Sequence, residues 1–309
     1  MLDASHSRHI DWGAEQLWQS LAPLLPGLSV EVLAHCDSTN TLLLDRARRS
    51  SGRRDAQVTG PGPLDPTGTP DDDDAATPGR RASDTQPCLL VAEHQFRGRG
   101  RMGRLWQSSI GASLTFSLGL AMAPRDWAGM SLAVGVALAE GLDPQPANGQ
   151  PRIGLKWPND LWLIDGPGRG RKLGGILIET LAVGHQRMVV VGVGLNVQPQ
   201  ALRDLSTGYA CLAELEPHIS APQALQRVML PLVAALKTFE RDGFGAFAER
   251  YAARDLLVGQ PIETTVPELP EGIADGVGVD GALRVRTGGG VCPLSSGEVS
   301  IRLCNTGPR

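Results

Sequence analysis

A short run of basic residues and glycines at positions 98–106 holds the side chains best suited to binding an anion. It reads Gly-Arg-Gly-Arg-Met-Gly-Arg-Leu-Trp, so Arg99, Arg101 and Arg104 are interleaved with three glycines. Glycine disfavours regular helix and strand and lets backbone N–H groups approach a ligand closely, while arginine offers a planar fork of donors to phosphate or carboxylate. We therefore expect a mobile loop, neither a good helix nor a good strand, that closes over an anionic ligand. A disordered nucleic-acid-binding tail is the alternative.

The segment 156–160, Lys-Trp-Pro-Asn-Asp, combines a cation and a carboxylate at a predicted strand end and turn. Lys156 and Asp160 would lie a few residues apart on a hairpin, an arrangement that suits a phosphate and its Mg²⁺. An ordinary hairpin turn explains the same residues equally well, because Asn and Asp favour turns.

Two later strands carry glycines at positions where a ligand could lie against the backbone. Lys172 precedes a glycine pair and could bind a substrate carboxylate, although an exposed lysine at a strand start is the commoner case. Gly192 and Gly194 alternate on one face of a strand that ends at Asn196, which predicts a slot for a flat ligand. The third glycine and following helix of a Rossmann fingerprint are missing.

The elements that must position these residues follow from hydrophobic periodicity, caps and turn residues. The pattern predicts an α/β chain in which strands and helices are mixed. The predicted helices are 12–21, 37–49, 127–142 (capped by Asp126), 220–242 (bent at Pro231) and 244–254, and the predicted strands are 29–35, 88–94, 113–120, 153–157, 161–164, 173–180 and 187–197, with a glycine-rich excursion at 165–171.

Composition limits the class of protein. With 309 residues, 41% of them hydrophobic, the chain has room for about two domains with a packed core. A net charge of −4 provides no global field for nucleic acid or membrane, so an anion site must be local. The five cysteines form no Cys-x-x-Cys pair, and neither a signal peptide nor a transmembrane stretch is visible. We expect a soluble, cytoplasmic protein with reduced thiols, in which His6 and His9 are solvated rather than metal ligands.

Shifts in composition divide the chain. We expect an N-terminal extension at 1–28, a catalytic domain at 29–255 and a small β-barrel at 256–309, where short strands and frequent glycine replace helical periodicity. Residues 51–86 cluster Gly, Pro and acidic residues with almost no large apolar side chains, which predicts a disordered insertion. Its acidic run at 71–74 is expected to be a solvated loop rather than a metal site.

Five motifs occur in one order: Ser-Thr-Asn at 38–40, Gly-Arg-Gly-Arg-x-Gly-Arg-x-Trp, Lys-Trp-Pro-Asn-Asp, Lys-Leu-Gly-Gly-Ile-Leu-x-Glu and Gly-x-Gly-x-Asn. Together they resemble the biotin–protein ligase family over about residues 30–200, and the stretch 297–301 is similar to the family's small barrel. The resemblance implies an α/β (α+β) fold with a mixed, largely antiparallel sheet flanked by helices. That catalytic domain is of the biotin/lipoate ligase type, resembles class II aminoacyl-tRNA synthetases and is followed by an SH3-like β-barrel.

The resemblance also implies the chemistry. Enzymes of this family use MgATP to convert biotin to biotinyl-5′-AMP, releasing pyrophosphate, and then transfer biotin to a lysine of a biotin carboxyl carrier protein of acetyl-CoA carboxylase. Lys172, Arg99 and Arg101 would be catalytic, and Asp160 would lie near Mg²⁺. The biotin-binding set would be Ser38, Thr39, Asn40, Gln95, Arg99, Gly100, Arg101, Lys172, Gly192 and Gly194. The ATP-binding set would be Arg101, Arg104, Trp106, Lys156, Asn159 and Asn196.

One residue departs from the family pattern, and several alternatives stay open. Met102 stands where the family often has another arginine, and we expect activity to survive because three loop arginines remain. Only about 28 residues precede the first predicted strand, so we expect no winged-helix domain and no DNA binding; the oligomer is expected to be a monomer or homodimer. A lipoate or octanoate ligase or transferase, a non-enzymatic biotin-binding regulator and an RNA-binding protein are the alternative functions.

Overall fold

The computed structural model describes residues 10–58, 85–144, 149–202 and 208–295, together with the backbone of 302–303; for 50–58 it describes the backbone alone.

A seven-stranded sheet forms the body of the protein, in the order β1-β2-β5-β9-β8-β7-β6. Only β1 and β2 run parallel; the other neighbours are antiparallel, which confirms the predicted mixed, largely antiparallel sheet. A separate two-stranded ribbon pairs β3 with β4. The strands are β1 Ser29–Cys36, β2 Cys88–Gln95, β3 Gly98–Arg99, β4 Leu105–Trp106, β5 Ser113–Ala121, β6 Ile153–Lys156, β7 Asp160–Gly166, β8 Arg169–Val183 and β9 Gln186–Asn196.

Helices cover both faces of this sheet. They are α1 Ala14–Leu21, α2 Thr39–Val58, α3 Met130–Leu142, α4 Ala221–Asp242 and α5 Ala248–Ala252. Because strand side chains alternate between faces, Leu89 and Val91 join the large core that contains α3 and α4, whereas Cys88 and Leu90 pack in the smaller cluster that contains α2 residues. The central strands are therefore buried on both sides, and they form a rigid base for the residues at their ends.

The second helix begins as predicted but ends later. Ser38 lies at its N-terminus, where its Oγ accepts a hydrogen bond from the Thr41 N–H at 3.4 Å. The sequence predicted the helix to end near Arg49 and a disordered insertion over 51–86, yet the helix continues to Val58. Arginine, alanine and glutamine in 51–58 favour helix without needing a buried face, which explains the difference. Residues 59–84 of the predicted insertion lie outside the described residues.

Three further predicted segments differ from the structure, and in two of them a glycine with positive φ changes the course of the backbone. Helix α3 was predicted from 127, but Asp126 accepts a hydrogen bond from the Ala128 N–H and Gly129 adopts φ 76°, so the helix begins at Met130. The predicted excursion 165–171 is a tight hairpin turn between β7 and β8, where Gly168 has φ 64°. The predicted helix 244–254 is a 3₁₀ turn at Phe244–Phe247 followed by α5.

A small antiparallel sheet follows the body, in the order β13-β12-β11-β10-β14. Its strands are β10 Pro261–Glu263, β11 Glu271–Val277, β12 Leu283–Thr287, β13 Gly290–Leu294 and β14 Arg302–Leu303. It touches the body through the Trp157 indole N–H, which donates to the Gly281 carbonyl at 3.1 Å. A C-terminal β unit was predicted; its closure into an SH3-like barrel and the predicted domain boundaries stay predictions. Within the described ranges, no helix is long and apolar enough to cross a bilayer.

Candidate functional site

A cavity of about 620 Å³ opens between the strands of the main sheet and the β3–β4 ribbon. Its apolar wall includes Phe116, Ile176 and Val193. Every site residue predicted from the sequence lines it: Ser38, Thr39, Asn40, Gln95, Arg99, Gly100, Arg101, Arg104, Trp106, Lys156, Asn159, Asp160, Lys172, Gly192, Gly194 and Asn196. Motifs that lie up to 158 positions apart in the chain (from Ser38 to Asn196) therefore meet in one place.

One end of the cavity is buried, polar and uncharged. Ser38, Thr39, Asn40 and Gln95 are all buried at the N-terminus of α2 and the end of β2. The Oε1 of Gln95 accepts a hydrogen bond from the Thr39 N–H at 2.8 Å. Ser117 Oγ lies 2.6 Å from both Thr39 Oγ1 and Asn40 Oδ1, so it can donate to Asn40 while accepting from Thr39. These amides and hydroxyls are held in fixed orientations before any ligand binds.

The two glycines of β9 allow close packing beneath this polar end. A Cβ at Gly192 would lie 2.2 Å from Asn40 Oδ1, and a Cβ at Gly194 would lie 2.4 Å from Cε2 of Trp106. The sequence predicted a slot for a flat ligand over both glycines; in the structure each instead lies directly beneath a side chain. The Trp106 Nε1 is buried and finds no hydrogen-bond partner among the described residues, so a ligand acceptor could use it.

The Gly-Arg stretch forms a small ribbon over the cavity. The sequence predicted a loop without strand, but Gly98 and Arg99 pair with Trp106 and Leu105 around a 3₁₀ turn at Arg101–Gly103. Glycine is required at 98 because a Cβ would lie 2.4 Å from the Trp106 carbonyl oxygen. The tip is exposed, with 65% of Met102 and 78% of Leu105 accessible, and Met102 has φ 54°. The ribbon is thus ordered locally while its outer side makes few packing contacts.

Two arginines connect the ribbon to the body of the protein below it. Arg99 Nη2 donates to Glu179 Oε1 at 3.1 Å and Nη1 donates to Thr41 Oγ1 at 3.3 Å. Arg101 Nη1 donates to Asn159 Oδ1 at 3.4 Å. Burial is the main cause that lowers the pKa of Arg101; Asp160 opposes this effect and Arg104 adds to it. The cavity therefore concentrates positive charge that an anionic ligand would offset.

Lys172 and Asp160 face each other across neighbouring strands. Lys172 Nζ lies 2.7 Å from Asp160 Oδ1, and both side chains are partly exposed to the cavity. The backbone of Lys172 is fixed by hydrogen bonds with Gly208 and Ala210. A substrate carboxylate could replace Asp160 as the partner of the ammonium group. The sequence predicted Asp160 near Mg²⁺, whereas here its carboxylate is paired with a lysine.

The donor set can be tested for a metal ion. The described part of the chain contains no group of three or more His, Cys, Asp or Glu side chains that could hold one. Asp160 by itself fits Mg²⁺ only as a single carboxylate ligand beside phosphate oxygens, which is how Mg²⁺ commonly binds with a nucleotide.

Two predicted nucleotide ligands have contacts within the protein. Lys156 is buried and its Nζ lies 4.4 Å from the centroid of the Trp162 ring, a cation–π arrangement. Asn196 Nδ2 donates to the carbonyls of Ala210 at 2.9 Å and Lys172 at 3.3 Å. Asn196 therefore positions the strand that carries Lys172, and its predicted contact with ATP stays a prediction.

Sequence reasoning missed several residues that complete the site. Ser117 is one of three hydroxyl residues, with Ser113 and Thr115, in the buried strand β5, and Glu179 ends a motif that was recognised without a role for its carboxylate. Both signals were present in the sequence. Tyr209 lines the cavity from a segment that pairs with Lys172, and no local pattern announces this long-range contact.

Comparisons with known proteins agree with this geometry. The model of the Biotin/lipoate A/B protein ligase family matches residues 80–196. The chain is 31% identical over 285 residues to the Bifunctional ligase/repressor BirA of Escherichia coli (strain K12), an alignment that covers 90% of this chain and 75% of that protein. It is 33% identical over 225 residues to the Biotin--[acetyl-CoA-carboxylase] ligase of Mycobacterium tuberculosis, covering 70% and 80% of the two chains.

A further relative and a solved structure complete the comparison. BirA of Salmonella typhimurium is 33% identical over 218 residues, and the alignment covers 69% of this chain and 66% of that protein, just under two thirds of its length. The fold matches that of the biotin protein ligase from Aquifex aeolicus in complex with biotin and ATP, with a TM-score of 0.63, 23% identity and coverage of 89% of this chain and 99% of that one. The chain belongs to the biotin/lipoate A/B protein ligase family.

Proposed function

We propose that this protein is an ATP-dependent biotin–protein ligase. It activates biotin to biotinyl-5′-AMP with release of pyrophosphate, and then transfers biotin to the ε-amine of a lysine on a carrier protein. The observation that carries this proposal is the polarity of the cavity, which joins a buried, uncharged polar end to a cationic rim. A relative that is 33% identical is named a Biotin--[acetyl-CoA-carboxylase] ligase, and one that is 31% identical is named a bifunctional ligase/repressor.

The buried end suits the ureido ring of biotin. That ring is neutral and presents both N–H donors and a carbonyl acceptor, and it therefore needs fixed partners of both kinds. Thr39, Asn40 and Gln95 supply hydroxyl and amide groups without a net charge. Such preorganised groups bind a matching heterocycle and leave polar atoms unpaired when an alkyl chain takes its place.

The cationic rim suits the adenylation step. A carboxylate oxygen of biotin attacks the α-phosphorus of ATP, a P–O bond forms, and the bond to the β,γ-diphosphate breaks with its electron pair leaving on pyrophosphate. Two anions must approach each other, so fixed cations lower the barrier by offsetting their repulsion. Lys172 would hold the carboxylate after leaving Asp160, and Arg101 and Lys156 line the same cavity.

The transfer step uses the same centre. The acceptor amine attacks the carbonyl carbon of the mixed anhydride, a C–N bond forms, the C–O bond to AMP breaks, and the nitrogen loses a proton. Arg99 and Arg101 would hold the phosphate while the ribbon keeps water from the anhydride. In the earlier adenylation step, Mg²⁺ bound with ATP beside Asp160 would supply charge neutralisation for the departing pyrophosphate.

A lipoate or octanoate ligase is the second candidate, because the matched family includes lipoate ligases. The polar buried end argues for biotin over an alkyl acid. A non-enzymatic biotin-binding regulator would not need the charged groups Lys156, Asp160 and Lys172, all of which line the cavity.

The acceptor and the compartment extend the proposal. We take the acceptor to be a biotin carboxyl carrier domain of acetyl-CoA carboxylase, as the name of the mycobacterial relative indicates for that protein. Cys36, Cys88 and Cys211 are free thiols, which is typical of a reducing compartment such as the cytoplasm. Monomer or homodimer, and the absence of DNA binding, stay predictions.

The experiment is to incubate the purified protein with biotin, MgATP and an isolated carrier domain, and to measure the intact mass of the carrier. A carrier whose target lysine is replaced by arginine is the matched control. The proposal requires one biotin to be added to the first carrier and none to the second. Absence of modification in both, with a carrier that a known ligase does modify, would overturn it.

A further inference from the structure

Six side chains around the buried end of the cavity form a closed circuit of polar contacts. Starting from β2, the Thr39 N–H donates to Gln95, Thr39 and Asn40 flank Ser117, and Asn40 donates to Glu179. Glu179 in turn accepts from Arg99, and the backbone from 95 to 99 closes the circuit. We call this the polar ring; its members are Thr39, Asn40, Gln95, Arg99, Ser117 and Glu179.

Glu179 is the only carboxylate in the polar ring, and its two oxygens serve different elements. Oε2 accepts from Asn40 Nδ2 at 3.0 Å, which lies at the buried end. Oε1 accepts from Arg99 Nη2 at 3.1 Å, which belongs to the exposed ribbon. The side chain of Glu179 is 22% exposed and that of Arg99 is 46% exposed, so this contact lies where the buried floor meets the rim.

The alternatives for holding Asn40 and the ribbon are limited. Asn40 also donates to the Leu177 carbonyl at 3.1 Å and accepts from Ser117, so its position is determined mainly by strand atoms. Arg99 has one further contact, a 3.3 Å hydrogen bond to Thr41 Oγ1. The bond to Glu179, in which both partners are charged, is therefore the stronger of the two that connect the Arg99 side chain to the body of the protein.

We propose that Glu179 is a positioning residue that couples the buried end of the cavity to the ribbon. The proposal rests on the proposed function. The Glu179 carboxylate accepts hydrogen bonds from both Asn40 and Arg99. Through Arg99 it therefore fixes the position of the ribbon relative to the ligand ring. Because the ribbon shields the reactive anhydride, loss of this coupling affects retention of the adenylate more than its formation.

The test is the ratio of biotin transferred to pyrophosphate released in the presence of saturating carrier. The variant Glu179→Gln keeps the shape and an oxygen for Asn40, but it removes the charge and can place an NH₂ group against Arg99. We expect this ratio to fall by about 10-fold, as loss of a charge-assisted hydrogen bond permits, while the rate of pyrophosphate release falls less. Glu216→Gln, which removes a surface ion pair with Arg227, is the matched control and is expected to leave the ratio unchanged.

A second comparison separates positioning from folding. Glu179→Asp keeps the charge on a shorter side chain, so it is expected to recover part of the ratio if the carboxylate acts by position. In an Arg99→Ala background, Glu179→Gln is expected to lower the ratio no further, because the two residues act through one contact. A thermal melt on each variant confirms that folded protein is compared.

The outcomes are distinct. If Glu179→Gln and Glu179→Asp both fold and transfer biotin with the wild-type ratio, the coupling role is overturned. An equal fall in pyrophosphate release and transfer would overturn it too, because a merely structural defect lowers both together. If the unmodified protein releases no pyrophosphate with biotin, the proposed function fails first, and that result is read before any variant.

Discussion

The floor and the roof of the cavity are built on opposite principles. The floor consists of buried strand and helix-end residues such as Thr39, Asn40 and Gln95, each held by neighbours from several elements. The roof is the ribbon of β3 and β4. Its tip at Met102 and Leu105 is exposed, and the Arg99 and Arg101 side chains connect it to the body below.

The difference shows how one site can be selective and still open. Because the floor is already ordered before binding, it recognises a ring of one shape and polarity without a free-energy cost of reorganisation. A roof with few packing contacts can move to admit ATP and the carrier, then close to exclude water. Substitutions in the floor should therefore change which acid binds, whereas substitutions in the roof should change what happens to the activated acid.

The largest effect is expected at the boundary between floor and roof. Lys172→Ala removes the cation nearest to the reacting carboxylate and leaves Asp160 without its partner at 2.7 Å. We expect pyrophosphate release to fall by about 10²–10³-fold, as for loss of one preorganised group at a charged transition state. Lys237→Ala on the exposed side of α4 is the control and is expected to keep wild-type activity. A fall of less than about threefold in Lys172→Ala would remove this lysine from the mechanism.

A floor substitution should raise the KM for biotin. Gly192→Ala would place a Cβ 2.2 Å from Asn40 Oδ1, and Asn40 cannot yield easily because Ser117 and Glu179 hold it. We expect the KM for biotin to rise by about 10-fold or more and stability to fall by about 1–3 kcal/mol, whereas the KM for ATP changes little. Steady-state kinetics and denaturant unfolding measure both effects. Gly245→Ala, where the added methyl meets no atom within 4 Å, is the matched control.

A third change tests the fold at the edge of the main sheet, where Asp255 bridges Leu155 of β6, without touching the ligand. Burial raises the pKa of Asp255 to about 6, against hydrogen bonds from Leu257 and Val258 that lower it. The folded protein thus binds this proton more tightly than the unfolded chain, so stability falls as pH rises from about 4 to about 6. Asp255→Asn should abolish this pH dependence, which amounts to at most about 3 kcal/mol in the free energy of unfolding. It should leave the KM for biotin unchanged. Urea unfolding at several pH values measures it; an unchanged slope would mean that Asp255 titrates normally.

The smallest effect is expected at the tip of the roof. Met102→Arg restores the arginine that the family often carries, but the side chain is 65% exposed and its charge would be screened by water and salt. We expect the KM for ATP to fall by no more than about threefold at low salt, and the gain to vanish at high salt. A gain above about 10-fold would show that the tip is closer to the phosphates than its exposure indicates.

The sequence located the charged and glycine-rich cavity residues because their types carry the chemistry, whereas Ser38, Thr39, Asn40 and Gln95 were assigned through the family resemblance. Three kinds of pattern indicate ligand binding without three-dimensional context: a lysine beside a glycine pair, alternating glycines in a strand, and a Gly-Arg run. Residues from all three line one cavity. The strand pattern likewise predicted the main sheet, since β5 and β9 are almost continuously buried. Each of these predictions depends on a short pattern whose own residues are neighbours both in sequence and in space.

What the sequence did not reveal depends on contacts between distant residues. The ribbon pairs as strands because Gly98 lies against Trp106, a contact that composition alone does not reveal. Glu179 gains its role only when Asn40 and Arg99 approach it from two other elements. The amide hydrogens of Asn196 meet two backbone carbonyls of the protein, a contact that the sequence did not reveal, and its assignment to ATP through the family resemblance stays a prediction.

The central claim is that the floor selects biotin for adenylation. The most direct measurement is pyrophosphate release from MgATP by the purified protein with biotin, lipoate or octanoate at equal concentration, using hydroxylamine as a surrogate acceptor. The structure predicts release with biotin alone, because the ureido ring offers both donors and an acceptor to the uncharged polar groups at 38–40 and at Gln95, whereas an alkyl chain offers neither. Release with lipoate or octanoate in place of biotin would contradict it.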